Sequence, residues 1–312
     1  MRSIAVIGGG LMGSGIAEVT ASSGVETVVV EVNDTAADRA RSRIESSTQR
    51  AQTKGKLTVE DREALLNRIR VVTDIEAVGD SDIVIEAAAE DEATKLELFA
   101  RLGKLTAEES ILVSNTSSIP IVKLGAVTGR ADRVMGVHFF NPAPVMPLVE
   151  LVPSLTTSDN TVARMREFVE TDLGKQAIEA TDRAGFVVNS LLVPYLMSAI
   201  RMYEAGYATA ADIDDGMMLG CGHPMGPLAL SDLIGLDTVR AIGLSMYEEF
   251  KEPLFAPPPL LDRMVAAGLL GRKSGRGFYD HESLAKYRPR QLDSTGLESQ
   301  DAGPKAGAGG LR

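Results

Sequence analysis

Gly8-Gly9-Gly10-Leu11-Met12-Gly13 follows directly on the apolar run Ser3–Ile7, and G-x-G-x-x-G between a strand and a helix permits few folds. The first glycine allows a tight turn, and the second lets the backbone come close to a ligand. The third lets helix and strand pack closely, while the helix N-terminus offers N–H donors to an anion. Both flanks fit. The run before the glycines is β-branched and apolar, as in a buried parallel strand. Met12, Ile16 and Val19 then recur at helical spacing up to Ser22. A turn at Ser23-Gly24 leads to a second strand expected over residues 27–32, which completes a βαβ unit. Glu31 stands 18 residues after Gly13, at the end of that strand. A carboxylate there can bond ribose hydroxyls and would repel a 2′-phosphate, so the unit predicts a dinucleotide site that prefers NAD to NADP.

Further strand candidates at residues 70–73, 82–86, 111–114 and 133–138 alternate with helical or polar stretches, which implies a doubly wound sheet. Beyond about Ala180 the character changes. Residues 187–204 read as a long apolar helix with Pro194 as an expected kink; 228–250 and 260–270 also read as helices. The expected class is α/β, a Rossmann-type doubly wound sheet over residues 1–182 followed by a smaller all-α domain over 183–282. The last stretch, 283–312, is rich in Gly and Ala and is expected to be a disordered tail.

Composition excludes several functions. The 32 basic and 43 acidic residues leave a net charge of -11, which argues against a nucleic-acid footprint over the whole surface. Cys221, the single cysteine, cannot make an internal disulfide or a cysteine-built zinc site. No run approaches the roughly 18 apolar residues of a membrane span. The strand pattern begins by Ser3, so the expectation is a cytoplasmic protein without a signal peptide. One stretch runs against the acidic balance: Arg39, Arg41, Arg43, Arg50, Lys54 and Lys56 face only Glu45. Composition alone favours a solvated helix face there, with attraction of a polyphosphate ligand as the alternative.

Of three histidines, His138 is best placed for chemistry, at the carboxyl end of an expected strand, where open α/β sheets hold their sites. Asn141-Pro142 follows closely, and Glu150 lies twelve residues on. Alcohol oxidation with NAD needs a base for the hydroxyl proton, and imidazole titrates near neutrality. A carboxylate on its other nitrogen would fix the tautomer and stabilise the imidazolium. From the residues alone, a satisfied structural histidine is an equally good reading. His223 sits in a Gly- and Pro-rich turn and reads as structural, and His281 is expected to have no specific role. The absence of H-E-x-x-H spacing argues against a metal, and that of G-x-S-x-G against a serine nucleophile.

Six motifs extend this reading. IAVIGGGLMGSGIAEV, SNTSSIPI, GVHFFNPAPVMPLVELV, GFVVNSLLVPYL, GHPMGPLALSDLIGLDT and GRKSGRGFY occur in that order from about Ser3 to Tyr279. Together they resemble the 3-hydroxyacyl-CoA dehydrogenases, particularly stand-alone bacterial 3-hydroxybutyryl-CoA dehydrogenases of the actinomycete type. The resemblance implies NAD-dependent interconversion of a (3S)-3-hydroxyacyl-CoA and its 3-ketoacyl-CoA by a homodimer joined through its helical domain. It puts the catalytic histidine and its partner on His138 and Glu150, and the substrate-binding serine and asparagine on Ser117 and Asn189. NAD contacts fall on Gly8, Gly10, Leu11, Met12, Gly13, Glu31, Glu90, Lys95, Ser117, Asn141 and Lys273. Coenzyme A contacts fall on Ser47, Lys54 and Ser117, which reverses the preference for a bland basic helix. The chain departs from the family pattern at Ala184, Ser190 and Pro147, which bears on acyl-chain length. Carrier-protein-linked acyl groups are one rival substrate, and a β-hydroxyacid dehydrogenase with a catalytic lysine is a second rival. A non-catalytic, crystallin-like NAD-binding protein is a third.

Overall fold

The computed structural model describes residues 3–281; the expected tail over 283–312 lies outside them. The chain forms two compact units. The first comprises Met1–Met197 and Ala241–Ala256, and the second Ser198–Arg240 and Pro257–Arg312.

Eight strands make one sheet in the first unit: β1 (Ser3–Ile7), β2 (Glu26–Val30), β3 (Ile69–Val72), β4 (Ile83–Glu86), β5 (Ile111–Ser114), β6 (Val134–Phe139), β7 (Leu148–Pro153) and β8 (Gln176–Glu179). Their order is β3-β2-β1-β4-β5-β6-β7-β8. The first six are parallel, β7 runs antiparallel to β6, and β8 parallels β7. Burial on both faces explains the uninterrupted apolar strands. Ile4, Val6, Ile83, Ile85 and Val113 belong to one core cluster, and their neighbours Ala5, Ile7, Val84 and Leu112 to another, as the two-residue period of a strand requires.

Six helices connect these strands: α1 (Leu11–Ser22), α2 (Asp34–Thr53), α3 (Val59–Asn67), α4 (Glu92–Leu105), α5 (Ile121–Ala126) and α6 (Asp159–Glu167). Helix α2 buries Ala36, Ala37, Ala40, Ile44 and Thr48 on one stripe and is capped by the Asn33 side chain, which accepts from Ala36 N. Its arginines are left on the outer face.

Beyond these come α7 (Val188–Glu204), α8 (Ala210–Cys221), α9 (Pro227–Ile234), α10 (Leu236–Phe250) and α11 (Pro259–Ala266). The helix expected over 228–250 is two helices, broken at Gly235 with φ +102°. The second unit is fastened by two buried carboxylates. Asp214 accepts from Leu228 N, Ala229 N and the Tyr279 hydroxyl, and Asp232 from Phe278 N, Tyr279 N and His281 Nε2. His281, expected to do nothing specific, is thus an anchor, with Nε2 2.8 Å from Asp232. Its short sequence distance from the tail concealed a partner 49 residues away.

Candidate active site

The turn after β1 rests on two glycines that admit no substitute. At Gly8, with φ +91°, a β-carbon would lie 2.8 Å from the Ala87 carbonyl oxygen, and at Gly13 it would lie 1.7 Å from that of Gly8. Gly10, the N-cap of α1, has open space where its β-carbon would be, with nothing within 4 Å. No side chain caps α1 and no acidic residue stands in its first turn, so its orphan amides remain for an anion. Exposed Leu11 and half-buried Met12 begin that helix. Glu31, one residue beyond β2, accepts from Gly9 N at 2.6 Å and Val32 N at 3.1 Å. From α2, Arg43 donates to the Gly9 carbonyl. An uncapped helix start, an open glycine and a carboxylate pinned beside them suit a dinucleotide with a pyrophosphate and a free ribose 2′-hydroxyl.

Further along the carboxyl edge, the ammonium of Lys95 on α4 lies 2.6 Å from Glu86 and 3.2 Å from Glu90. Lys95 is 1% exposed and Glu86 fully buried. Glu86 also accepts from Ala88 N and the Ser114 hydroxyl, so its buried charge is fully answered. Glu90 accepts from the Thr116 hydroxyl, the Ser118 hydroxyl and Ser117 N. Burial pushes the Glu90 carboxyl up, but Lys95 and the two hydroxyls outweigh it and hold it below the usual carboxylate range. Lys95 therefore acts on the surface of the site through Glu90. The Ser117 side chain stands half-buried in the loop after β5.

His138 on β6 faces Glu150 on β7 in antiparallel register. His138 Nδ1 is 2.7 Å from Glu150 Oε2; the imidazole is nearly buried and the carboxylate fully so. The other carboxylate oxygen accepts from Val187 N at 3.0 Å and Val188 N at 2.9 Å, at the start of α7. The rings of Phe140 and Phe186 flank the imidazole, with centroids 4.8 and 5.4 Å away. With Nδ1 committed to the carboxylate, and no partner on Nε2 among the described residues, Nε2 is the nitrogen able to exchange a proton with a ligand. Asn115 on the neighbouring loop accepts from Phe139 N and ties β5 to this strand end.

The remaining expected residues are more dispersed. Asn189 is the second residue of α7 and nearly buried. Asn141 is exposed in the loop after β6, whose Ala143 and Met146 carbonyls accept from the Lys175 ammonium at 2.8 and 2.7 Å. Ser47 lies half-buried on α2. Lys54 is exposed at the C-terminal end of α2. Lys273, in the second unit, pairs with Asp237. Among the described residues no group of three or more His, Cys, Asp or Glu could hold a metal ion, and no helix is long and apolar enough to cross a membrane. Glu86, Lys175 and Phe186 did not stand out in the sequence. The one available signal was Glu86, a charge closing the apolar strand Ile83-Val84-Ile85.

Comparison with known proteins finds two family models that follow each other along the chain. The 3-hydroxyacyl-CoA dehydrogenase NAD-binding domain matches residues 3–183, and the 3-hydroxyacyl-CoA dehydrogenase C-terminal domain matches 185–281. The 3-hydroxybutyryl-CoA dehydrogenase of Mycobacterium tuberculosis is 53% identical over 282 residues, covering 90% of this chain and 99% of that one. Among solved structures, M. tuberculosis FadB2 superposes with a TM-score of 0.89 at 53% identity, over 90% of this chain and 99% of the other. The (S)-3-hydroxybutyryl-CoA dehydrogenase PaaH1 of Ralstonia eutropha gives 0.85 at 45% identity, over the same shares.

Proposed function

The chain belongs to the 3-hydroxyacyl-CoA dehydrogenase family and is an NAD-dependent oxidoreductase, and from that premise we propose that it interconverts (3S)-3-hydroxybutyryl-CoA and acetoacetyl-CoA. The observation that carries the reading is the His138–Glu150 pair, bonded at 2.7 Å and closed off from water on the carboxylate side. NAD, when bound, supplies the acceptor for the hydride that leaves C3 of the alcohol. In that direction His138 Nε2 takes the 3-hydroxyl proton, and in ketone reduction it returns it. Glu150, held by two backbone amides, keeps Nδ1 protonated and offsets the charge of the imidazolium. Ser117 and Asn189 are assigned to the substrate oxygens, where fixed donors hold C3 in place and favour developing negative charge. Gly8, Gly10, Leu11, Met12, Gly13, Glu31, Glu90, Lys95, Ser117, Asn141 and Lys273 are assigned to NAD. Ser47 and Lys54 on the basic face of α2 are assigned to coenzyme A. We assign residues 1–182 to NAD binding and 183–282 to substrate binding and a homodimer contact, in a protein of the cytoplasm.

The test is consumption of NADH on adding acetoacetyl-CoA. His138→Ala should lower kcat by roughly 10²- to 10⁴-fold with NADH binding intact, because the glycine turn and Glu31 lie on other strands. Glu150→Gln should also lower kcat, and the double variant should lose far less than the product of the single losses if the pair acts as a unit. Turnover near that of the wild type in folded, NADH-binding His138→Ala would end the mechanism.

A further inference from the structure

Phe186 has φ +46°, a left-handed backbone that costs a bulky side chain far more than a glycine. Gly185 before it, with φ +85°, is tightly enclosed: a β-carbon would lie 3.0 Å from Met246 Sδ and 3.1 Å from Ser190 Oγ. Two successive left-handed residues therefore sit at one turn, and the second is a phenylalanine. The strain has a use in the two residues after it, because Val187 N and Val188 N converge on a single oxygen of Glu150. The Phe186 carbonyl accepts from the Ser190 hydroxyl at 2.6 Å, and its own amide donates to the Arg183 carbonyl. The ring turns inward, 8% exposed, and rests against His138 at a 60° tilt. One residue thus joins the two halves of the pair, through the two amides that follow it to Glu150 and through its ring to His138.

We propose that Phe186 is a positioning residue for proton transfer: its left-handed turn aims two amides at Glu150 while its ring braces the imidazole of His138. A glycine would adopt the same backbone without strain but would leave the imidazole unsupported on that side. This explains why a bulky residue occupies a position where the backbone favours glycine. The proposal rests on the reading of His138 and Glu150 as the proton-transfer pair, and the experiment separates the two.

Four variants of the full chain test it: Phe186→Ala, Phe186→Gly, Phe186→Leu and His138→Ala, with Phe186→Ala also made in a Glu150→Gln background. Phe186→Ala and Phe186→Gly should lower kcat for acetoacetyl-CoA reduction by roughly 10- to 100-fold, the scale of a misplaced catalytic group. KM for NADH should stay within about twofold, because the cofactor residues are untouched. Phe186→Leu, which restores apolar bulk against the ring, should recover most of kcat. Phe186→Gly should melt higher than Phe186→Ala, because only glycine accepts the left-handed φ freely. In the Glu150→Gln background, Phe186→Ala should add little further loss, since both act on the same imidazole. Wild-type kcat in Phe186→Ala, or losses that multiply fully with Glu150→Gln, would overturn the proposal while His138→Ala stays inactive. An active His138→Ala would instead remove the reading beneath it.

Discussion

Glu31 is fixed by its bond to Gly9 N, so its charge stays at the turn rather than swinging into solvent. A 2′-phosphate placed there would face a carboxylate held by the backbone, whereas ribose hydroxyls would find an acceptor. Glu31→Ala should therefore narrow the preference for NADH over NADPH by roughly ten- to 100-fold, the worth of a charge-assisted hydrogen bond; equal use of both cofactors by the wild type would defeat this. Glu90 gives a pH prediction. Its carboxyl is held below the usual range by Lys95 and two hydroxyls that together outweigh burial. A depressed pKa contributes stability that is fully present above the unfolded value and is lost as pH falls through the folded one. The stability gap between wild type and Glu90→Gln should thus be full at neutral pH and shrink below about pH 4. The side chain is 40% exposed, so screening keeps that gap small; a gap that widens on acidification would refute the assignment. Glu31 and His138 were legible because each stands at a strand end beside a recognisable pattern, and Glu150 because it follows His138 by twelve residues within one motif. Glu86, Lys175 and Phe186 were not, because their partners come from segments distant in sequence or from backbone carbonyls and amides that no residue type announces.

At the scale of elements, the parallel strands were readable and the two that complete the sheet were not. β1, β4, β5 and β6 are apolar on both faces, so burial alone marks them in the sequence. β7 carries Glu150 in its middle and follows a loop with Pro142, Pro144 and Pro147, and β8 is a four-residue edge strand with glutamine and glutamate at its ends. Neither gives a clean apolar run or alternation. Yet β7 decides the site, since its antiparallel register sets Glu150 opposite His138. Helix α2 shows the converse: its basic residues stood out in the sequence, but composition could not say whether that charged face served solvent or a ligand. We assign coenzyme A to Ser47 and Lys54 as a proposal, and Lys54 is exposed at the helix end. Lys54→Ala should raise KM for acetoacetyl-CoA about threefold to fivefold, the scale of one exposed charge contact, and more at low salt. With a pantetheine-truncated substrate the change should vanish; an equal defect there would show that Lys54 acts elsewhere.

At the scale of the whole molecule, the second unit offers a surface on which a partner could bear. Its interior is closed by Leu228, Leu236, Val239, Leu261 and Met264 and by the carboxylates of Asp214 and Asp232. Outside that interior, Tyr207 is 82% exposed, Leu219 70%, Leu233 47% and Met202 45%. Single exposed apolar residues need no explanation, but five large ones between residues 202 and 233, Tyr203 among them, provide material for an interface. A stable one buries roughly 1,200–2,000 Å² in total, and a two-fold contact uses the same patch from both chains, so each side chain contributes twice. Light scattering at micromolar concentration should accordingly give a mass about twice the 33.2 kDa chain. Leu219→Glu combined with Tyr207→Glu places two pairs of charges in such a contact, and desolvating them without partners costs more than the apolar area returns. That variant should run at the mass of one chain with its ellipticity unchanged. A wild type that is monomeric at micromolar concentration would refute the homodimer, and a variant still at twice the chain mass would place the contact on another face.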